Sequence, residues 1–285
     1  MGTQRRLDGY RLLDEIGRGS TSVVHLAVDS AGREVVVKEL LAGYAADPAW
    51  RRRVAREMAA QARVRSPYVA RLLDGRVSGD RPYVVTEYVP GCPLGDLVAS
   101  YGPFGGGRLP RLARRLALAL AAVHDAGVVH RDLAPHNVIA LGDRPVLIDF
   151  GIAHEAGADQ DTRPGMVVGT PAYLAPELIE GAPATPASDV FSWAATVAYA
   201  ATGRPPFGEG TLHQVCFRIL RGDGDLAGIT GPLAALLPRA LHRDPARRPT
   251  ARALAGALAP GAPPGPPGPP APVPGGTARE RVTTG

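Results

Sequence analysis

The chain has 285 residues, 45% of them hydrophobic, which is enough to build one large domain or two lobes around a core. Its 32 basic and 27 acidic residues leave a net charge of +5, and the basic runs are short and carry no interleaved aromatics, which argues against a nucleic-acid groove. Two cysteines, Cys92 and Cys216, rule out a disulfide framework and fit a reducing, cytoplasmic setting. The stretch from Leu7 to Leu13 is too interrupted by charge for a signal peptide, and no run of about 18 apolar residues reads as a membrane span.

Residues 10 to 40 read as strands. Tyr10 to Ile16 leads into Gly17-Arg18-Gly19-Ser20-Thr21-Ser22, then Val23 to Val28, a turn at Ser30-Ala31-Gly32, and Glu34 to Lys38. Glycines at 17 and 19 allow a hairpin tip to fold close over an anion, so that backbone N–H groups meet phosphate oxygens. A Gly-x-Gly pair alone is more often a plain turn. Lys38 is the single lysine of the chain, against a background in which every other cation is arginine. Asp47-Pro48 reads as a helix start, an N-cap followed by proline at the first helical position. In the helix that follows, Val54 and Met58 share a face and Glu57 is the one carboxylate; its bland reading is a solvated partner of Arg53.

Strands continue at Val69 to Asp74 and Arg81 to Val89, and a helix follows from Leu109 to Asp125, closed by Gly127. The segment His130-Arg131-Asp132-Leu133-Ala134-Pro135-His136-Asn137 then meets a predicted hairpin of Val138-Ile139-Ala140 and Val146-Leu147-Ile148, which ends at Asp149-Phe150-Gly151. A turn holding Asp132 and Asn137 beside a hairpin offering Asp149 gathers one possible base and two oxygen ligands, a set suited to phosphoryl transfer with magnesium. Residues 188 to 202 are apolar nearly all round, which predicts a helix buried on every side, and Asp189 near its start has no surface role. Shorter helices are expected at 212 to 221, 233 to 241 and 250 to 258, before a Pro/Gly-rich, disordered tail over 260 to 285.

Taken in order, Lys38, Glu57, Asp132, Asn137, Asp149, Gly169-Thr170-Pro171 and Ala175-Pro176-Glu177 resemble the motif set of the bacterial eukaryotic-like serine/threonine protein kinases, across about residues 10 to 259. The resemblance implies an α+β, two-lobed fold, with a strand-rich N-lobe over 10 to 89, a helical C-lobe over 90 to 259, and ATP in the cleft. It implies that Gly17 and Gly19 cover the phosphates, that Val24 and Val36 lie over adenine with Ile139 beneath it, and that the backbone of Glu87 and Val89 binds the adenine edge behind Thr86. Glu57 would aim Lys38 at the α- and β-phosphates, Asp132 would orient and deprotonate the substrate hydroxyl, and Asn137 and Asp149 would hold magnesium, with manganese as the alternative ion. Asp189 would hold the catalytic-loop backbone, and Glu177 would pair with Arg248 as a structural ion pair.

Protein serine or threonine hydroxyls follow as substrates from the Gly-Thr segment at 169 and 170, and Thr162 is the candidate autophosphorylation site, read by Arg131. Two positions depart from the family pattern. Ala134 stands where serine/threonine members place a lysine, which predicts slower turnover, and Gln61 stands where an apolar residue of the internal packing column is usual. Those departures are the support for a rival reading, a pseudokinase that signals by shape. A small-molecule phosphotransferase of the aminoglycoside type shares the His-x-Asp pattern but lacks the Gly-Thr-Pro and Ala-Pro-Glu segment.

Overall fold

The computed structural model describes residues 5–19, 22–41, 47–142, 144–150 and 171–261. Its first part is a six-stranded antiparallel sheet built from β1 (Arg6–Leu7), β2 (Tyr10–Arg18), β3 (Ser22–Val28), β4 (Glu34–Leu40), β5 (Leu72–Arg76) and β6 (Tyr83–Glu87), in the order β1-β2-β3-β4-β6-β5. Helix α1 (Pro48–Gln61) crosses over between β4 and β5. Asp47 caps it as the sequence predicts, with its carboxylate accepting from Ala49 N at 2.8 Å and Trp50 N at 3.3 Å.

Strand alternation separates two environments. Ala27, Val35, Val37, Tyr83 and Val85 pack on one face of the sheet in a small core. Val24, Val36 and Lys38 take the intervening positions and are half-buried on the other side, where Val24 pairs with Lys38 and Val36 with Thr86. The register alone therefore puts the lone ammonium and two valines on a shared face.

The second part is mainly helical. β7 (Cys92–Pro93) precedes α2 (Leu94–Tyr101) and α3 (Arg108–Asp125), and then comes the hairpin of β8 (Val138–Leu141) and β9 (Arg144–Leu147). Beyond it lie α4 (Pro176–Ile179), α5 (Pro186–Thr202), α6 (Leu212–Arg221), α7 (Pro232–Ala240) and α8 (Ala251–Ala257). Helix α5 is the axis of this part: Phe191, Trp193, Ala194 and Val197 are fully buried, and the Trp193 indole donates to Ala113 O on α3 at 3.0 Å. A capping box at Thr185 and Ser188 fixes where α5 begins, and so where Asp189 lies.

The two parts are joined beneath the sheet. Ala70 N donates to Leu147 O and Leu147 N to Tyr68 O, both at 2.9 Å, so β9 is stitched to the segment entering β5. The predicted strand at Val69 to Asp74 accordingly begins later, at Leu72, because Val69 forms only an isolated parallel bridge with Leu147. Gly91 lies against β8 so closely that a β-carbon would come within 2.6 Å of Ala140 O and of the Ile139 side chain. The short elements β1, β7, α2 and α4 carry too little periodicity to be read from the sequence.

Candidate active site

Asp189 organises the loop that carries the candidate base. Its side chain is 1% exposed, and its carboxylate accepts from the backbone N–H of both His130 and Arg131 at 2.8 Å, with His124 Nε2 also at 2.8 Å. A carboxylate buried this deeply is stable only when its lone pairs are filled, and the loop backbone fills them. The same two amide bonds hold Arg131 at a φ of +71°, a left-handed conformation that a non-glycine residue seldom adopts. Asp149 adopts a second one, at +50°.

Within the loop, Asn137 Nδ2 donates to Asp132 O at 2.8 Å and to Asp132 Oδ2 at 2.9 Å. This sets the two side chains in contact and leaves the amide oxygen of Asn137 as its acceptor. Ile148 N donates to Asn137 O at 2.9 Å, tying the loop to the residue before Asp149. His130 is fully buried and packs on Phe150 with ring centroids 4.9 Å apart, while its Nε2 lies 2.9 Å from Ile148 O. Burial drives the His130 imidazole below its ordinary value, against the pull of Asp189, so the ring is neutral and donates from Nε2 to that carbonyl.

From the sheet side, Lys38 Nζ reaches Asp149 Oδ1 at 3.8 Å. Two pairs, Lys38–Asp149 and Asn137–Asp132, are thus drawn from β4, the end of the β8/β9 hairpin and the 130–137 loop, and the backbone bond from Ile148 N to Asn137 O links them. The donors fit a hard cation, because one carboxylate and one amide oxygen are what magnesium takes from a protein when phosphates supply the rest.

Comparison with known proteins matches residues 10–257 to the model of the protein kinase domain. This chain belongs to the protein kinase family. Its relatives are bacterial serine/threonine kinases: it is 39% identical over 249 residues to a probable serine/threonine-protein kinase, PkwA, of Thermomonospora curvata, covering 87% of this chain and 34% of the relative. To the serine/threonine-protein kinase AfsK of Streptomyces coelicolor it is 36% identical over 257 residues, covering 90% of this chain and 32% of the relative. The chain thus spans about a third of the length of these curated relatives. Among solved structures, Rad53 in complex with AMP-PNP superposes with a TM-score of 0.72 at 25% identity, covering 87% of this chain and 64% of that one. The two-part architecture is the kinase fold.

Within the kinase domain, Lys38 lies on β4, Asp132 and Asn137 in the 130–137 loop, and Asp149 at the end of the β8/β9 hairpin. Glu57 does not meet Lys38. Its carboxylate lies 2.7 Å from the Arg131 guanidinium, while the ammonium of Lys38 is turned to Asp149. Gln61, one turn after Glu57 on α1, is buried with no donor to its Oε1 among the described residues, and it lines a cavity of about 300 Å³ together with Phe150 and Val129.

Other expectations are refined. Val24 and Val36 share the sheet face of Lys38, and Ile139, on β8 and paired with Pro93, is buried. The Glu87 N–H is engaged by Arg71 O at 2.9 Å, so a contact from Glu87 to a ligand would use its carbonyl. Gly17 pairs with Val24 across the β2/β3 ladder and Gly19 N bonds Ser22 O at 2.9 Å, which shapes the hairpin tip. Ala134 is buried in the large core, whereas His136 is exposed. Arg248 grips both oxygens of Glu177 at 2.7 Å, the structural pair the motifs imply. Gly151, Thr162, Gly169 and Thr170 lie outside the described residues.

Proposed function

We propose that this chain transfers the γ-phosphate of ATP to serine and threonine hydroxyls of proteins, itself included. The observation that carries the reading is the Lys38–Asp149 pair together with the Asn137–Asp132 pair, linked through the backbone bond from Ile148 N to Asn137 O. Bound Mg-ATP supplies the phosphoryl group and the charge that offsets its transfer; the protein's part is to position and to neutralise.

In this reading Lys38 neutralises the α- and β-phosphates, and Asp149 and the Asn137 amide oxygen hold magnesium, with manganese as the alternative. Asp132 accepts the proton of the incoming hydroxyl, kept in place by its contact with Asn137. Adenine would lie between the half-buried Val24 and Val36 and the side chain of Ile139, with the Glu87 carbonyl and the Val89 backbone at its edge. Asp189 and His130 act at one remove, by fixing the backbone that carries Asp132. Two free thiols, Cys92 and Cys216, fit a reducing cytoplasm. No described helix is long and apolar enough to cross a membrane.

The test is incubation of the purified chain with labelled ATP, magnesium and a generic protein substrate, followed by phosphoamino-acid analysis. Label in phosphoserine and phosphothreonine, abolished in Asp132→Asn, is the expected result. No transfer at all would leave the pseudokinase reading, and label on an aminoglycoside instead of protein would favour the small-molecule one.

A further inference from the structure

Helix α5 holds more than the loop that carries Asp132. Asp189, Ser192 and Tyr199 follow one another on it at intervals of three and seven residues, which sets all three on one face of the helix. Asp189 accepts from the amides of His130 and Arg131. One turn further on, the Ser192 hydroxyl donates to Tyr173 O at 2.7 Å. The Tyr199 ring then meets the Tyr173 ring edge-on, with centroids 6.4 Å apart. Tyr173 closes the short turn Pro171–Tyr173, which follows Gly169-Thr170 directly in the chain.

We propose that Ser192 is a positioning residue for the phosphate acceptor: it pins the segment after Thr170 to the same face of α5 that holds the catalytic loop. The inference rests on the kinase reading, in which the segment around Thr170 and Pro171 bears the acceptor protein. A serine inside a helix commonly bonds back to the carbonyl four residues earlier. That acceptor is present, since Ser188 O lies 3.2 Å from Ser192 Oγ. A hydroxyl has a single proton, however, and the 2.7 Å contact to Tyr173 O has the ordinary length of an O–H···O bond. Ser192 and Tyr173 are both buried, so little water is at hand to replace the hydroxyl. The consequence is geometric. Asp132 and Tyr173 come from segments distant in the chain, and α5 gives each segment a hydrogen-bonded anchor, at Asp189 and at Ser192, one helical turn apart. Phosphoryl transfer needs base, hydroxyl and phosphate held in close register. Without Ser192 the acceptor segment would drift, while Asp189 keeps Asp132 where it is.

The test is Ser192→Ala in the whole chain, a change that removes the hydroxyl and leaves a good helix former. For a generic protein substrate, kcat/KM should fall about tenfold, the factor that corresponds to one buried hydrogen bond, with the KM for ATP unchanged. Hydrogen exchange should quicken about tenfold at Leu174, whose amide donates to Pro171 O at 3.2 Å, and stay as it was at His130 and Arg131. A role in core packing alone would instead loosen both segments together and raise no difference between protein and ATP. An unchanged kcat/KM for the protein, unchanged exchange at Leu174, or equal quickening at Leu174 and His130 would each overturn the proposal. Failure of the kinase reading shows differently, as a wild-type chain that transfers no phosphate to protein, and the exchange comparison is read without any activity.

Discussion

The Glu57 carboxylate is bonded to Arg131, at 2.7 Å, while the ammonium it would be expected to orient sits 3.8 Å from Asp149. Two cation–carboxylate pairs are thus formed in a crossed arrangement. The kinase pattern implies a pair between Glu57 and Lys38, whereas here each of the two carboxylates meets a different cation. A charge-assisted bond of this kind contributes about 1.5–3 kcal/mol. Removing Arg131 as a competitor should therefore raise the basal rate of dephosphorylated chain. Arg131→Gln is expected to increase the initial rate by about tenfold at saturating Mg-ATP. An unchanged or lower rate would show that the Arg131 pair does not restrain α1.

A phosphate on Thr162 would compete with Glu57 for the same guanidinium, since Arg prefers a dianion it can bind through two donors. Wild-type chain preincubated with Mg-ATP should then be faster than phosphatase-treated chain, and Thr162→Ala should lose that difference. Phosphopeptide mapping decides the case independently: an activated preparation carrying no phosphate at Thr162 would dispose of it.

Much of this was legible in the sequence because it depends on residue type at fixed positions. A carboxylate inside an otherwise apolar helix, Asp189, has to find buried donors, and the loop amides at His130 and Arg131 provide them. The Glu177–Arg248 pair was legible for the same reason. The Glu57–Arg131 bond was not, because it joins residues 74 positions apart on α1 and the 130–137 loop, a distance in the chain that no local pattern spans. The burial of Ala134 was equally hidden: the sequence reports a missing lysine, but only the fold shows that the position faces the core.

The role of Asp132 predicts a loss confined to chemistry. Asp132→Asn keeps the size of the side chain and its neighbour Asn137 but removes the proton acceptor. A fall in kcat of about a hundredfold or more is expected, with the KM for ATP changed little. Lys38→Ala should lower kcat as well, but should also raise the KM for ATP, since the ammonium faces the phosphates. A Asp132→Asn variant with near wild-type kcat would remove Asp132 from the mechanism.

Arg248 predicts the opposite division. Its side chain is 0% exposed, bonded to Glu177, to the carbonyls of His242, Ala187 and Arg243, and set over the Phe191 ring at 5.1 Å. Glu177→Ala would leave a buried guanidinium without its counter-charge, which typically costs about 3–5 kcal/mol. Chemical denaturation should show that loss, while activity per folded molecule stays close to wild type. A midpoint unchanged by Glu177→Ala would mean that the pair is not structural.

Acidification should loosen the same loop from within. His130 is buried and neutral, with a depressed affinity for protons, whereas in the unfolded chain it titrates near 6.5. Between that value and the lower native one, the unfolded state binds more protons than the native state, so stability rises with pH across the window. The contribution is fully present above 6.5 and is lost progressively as pH falls through the interval. His25, buried against the sheet with its proton affinity also lowered by burial, adds in the same direction. Protonating His130 would also cancel its Nδ1 as the acceptor for Asp132 N, at 3.3 Å, and so disturb the residue beside it. Melting temperature should therefore fall from pH 7 to pH 5.5, and His130→Phe, which keeps a ring against Phe150, should flatten the slope. A wild-type melting temperature independent of pH over that range would mean that the buried imidazole does not report on the fold.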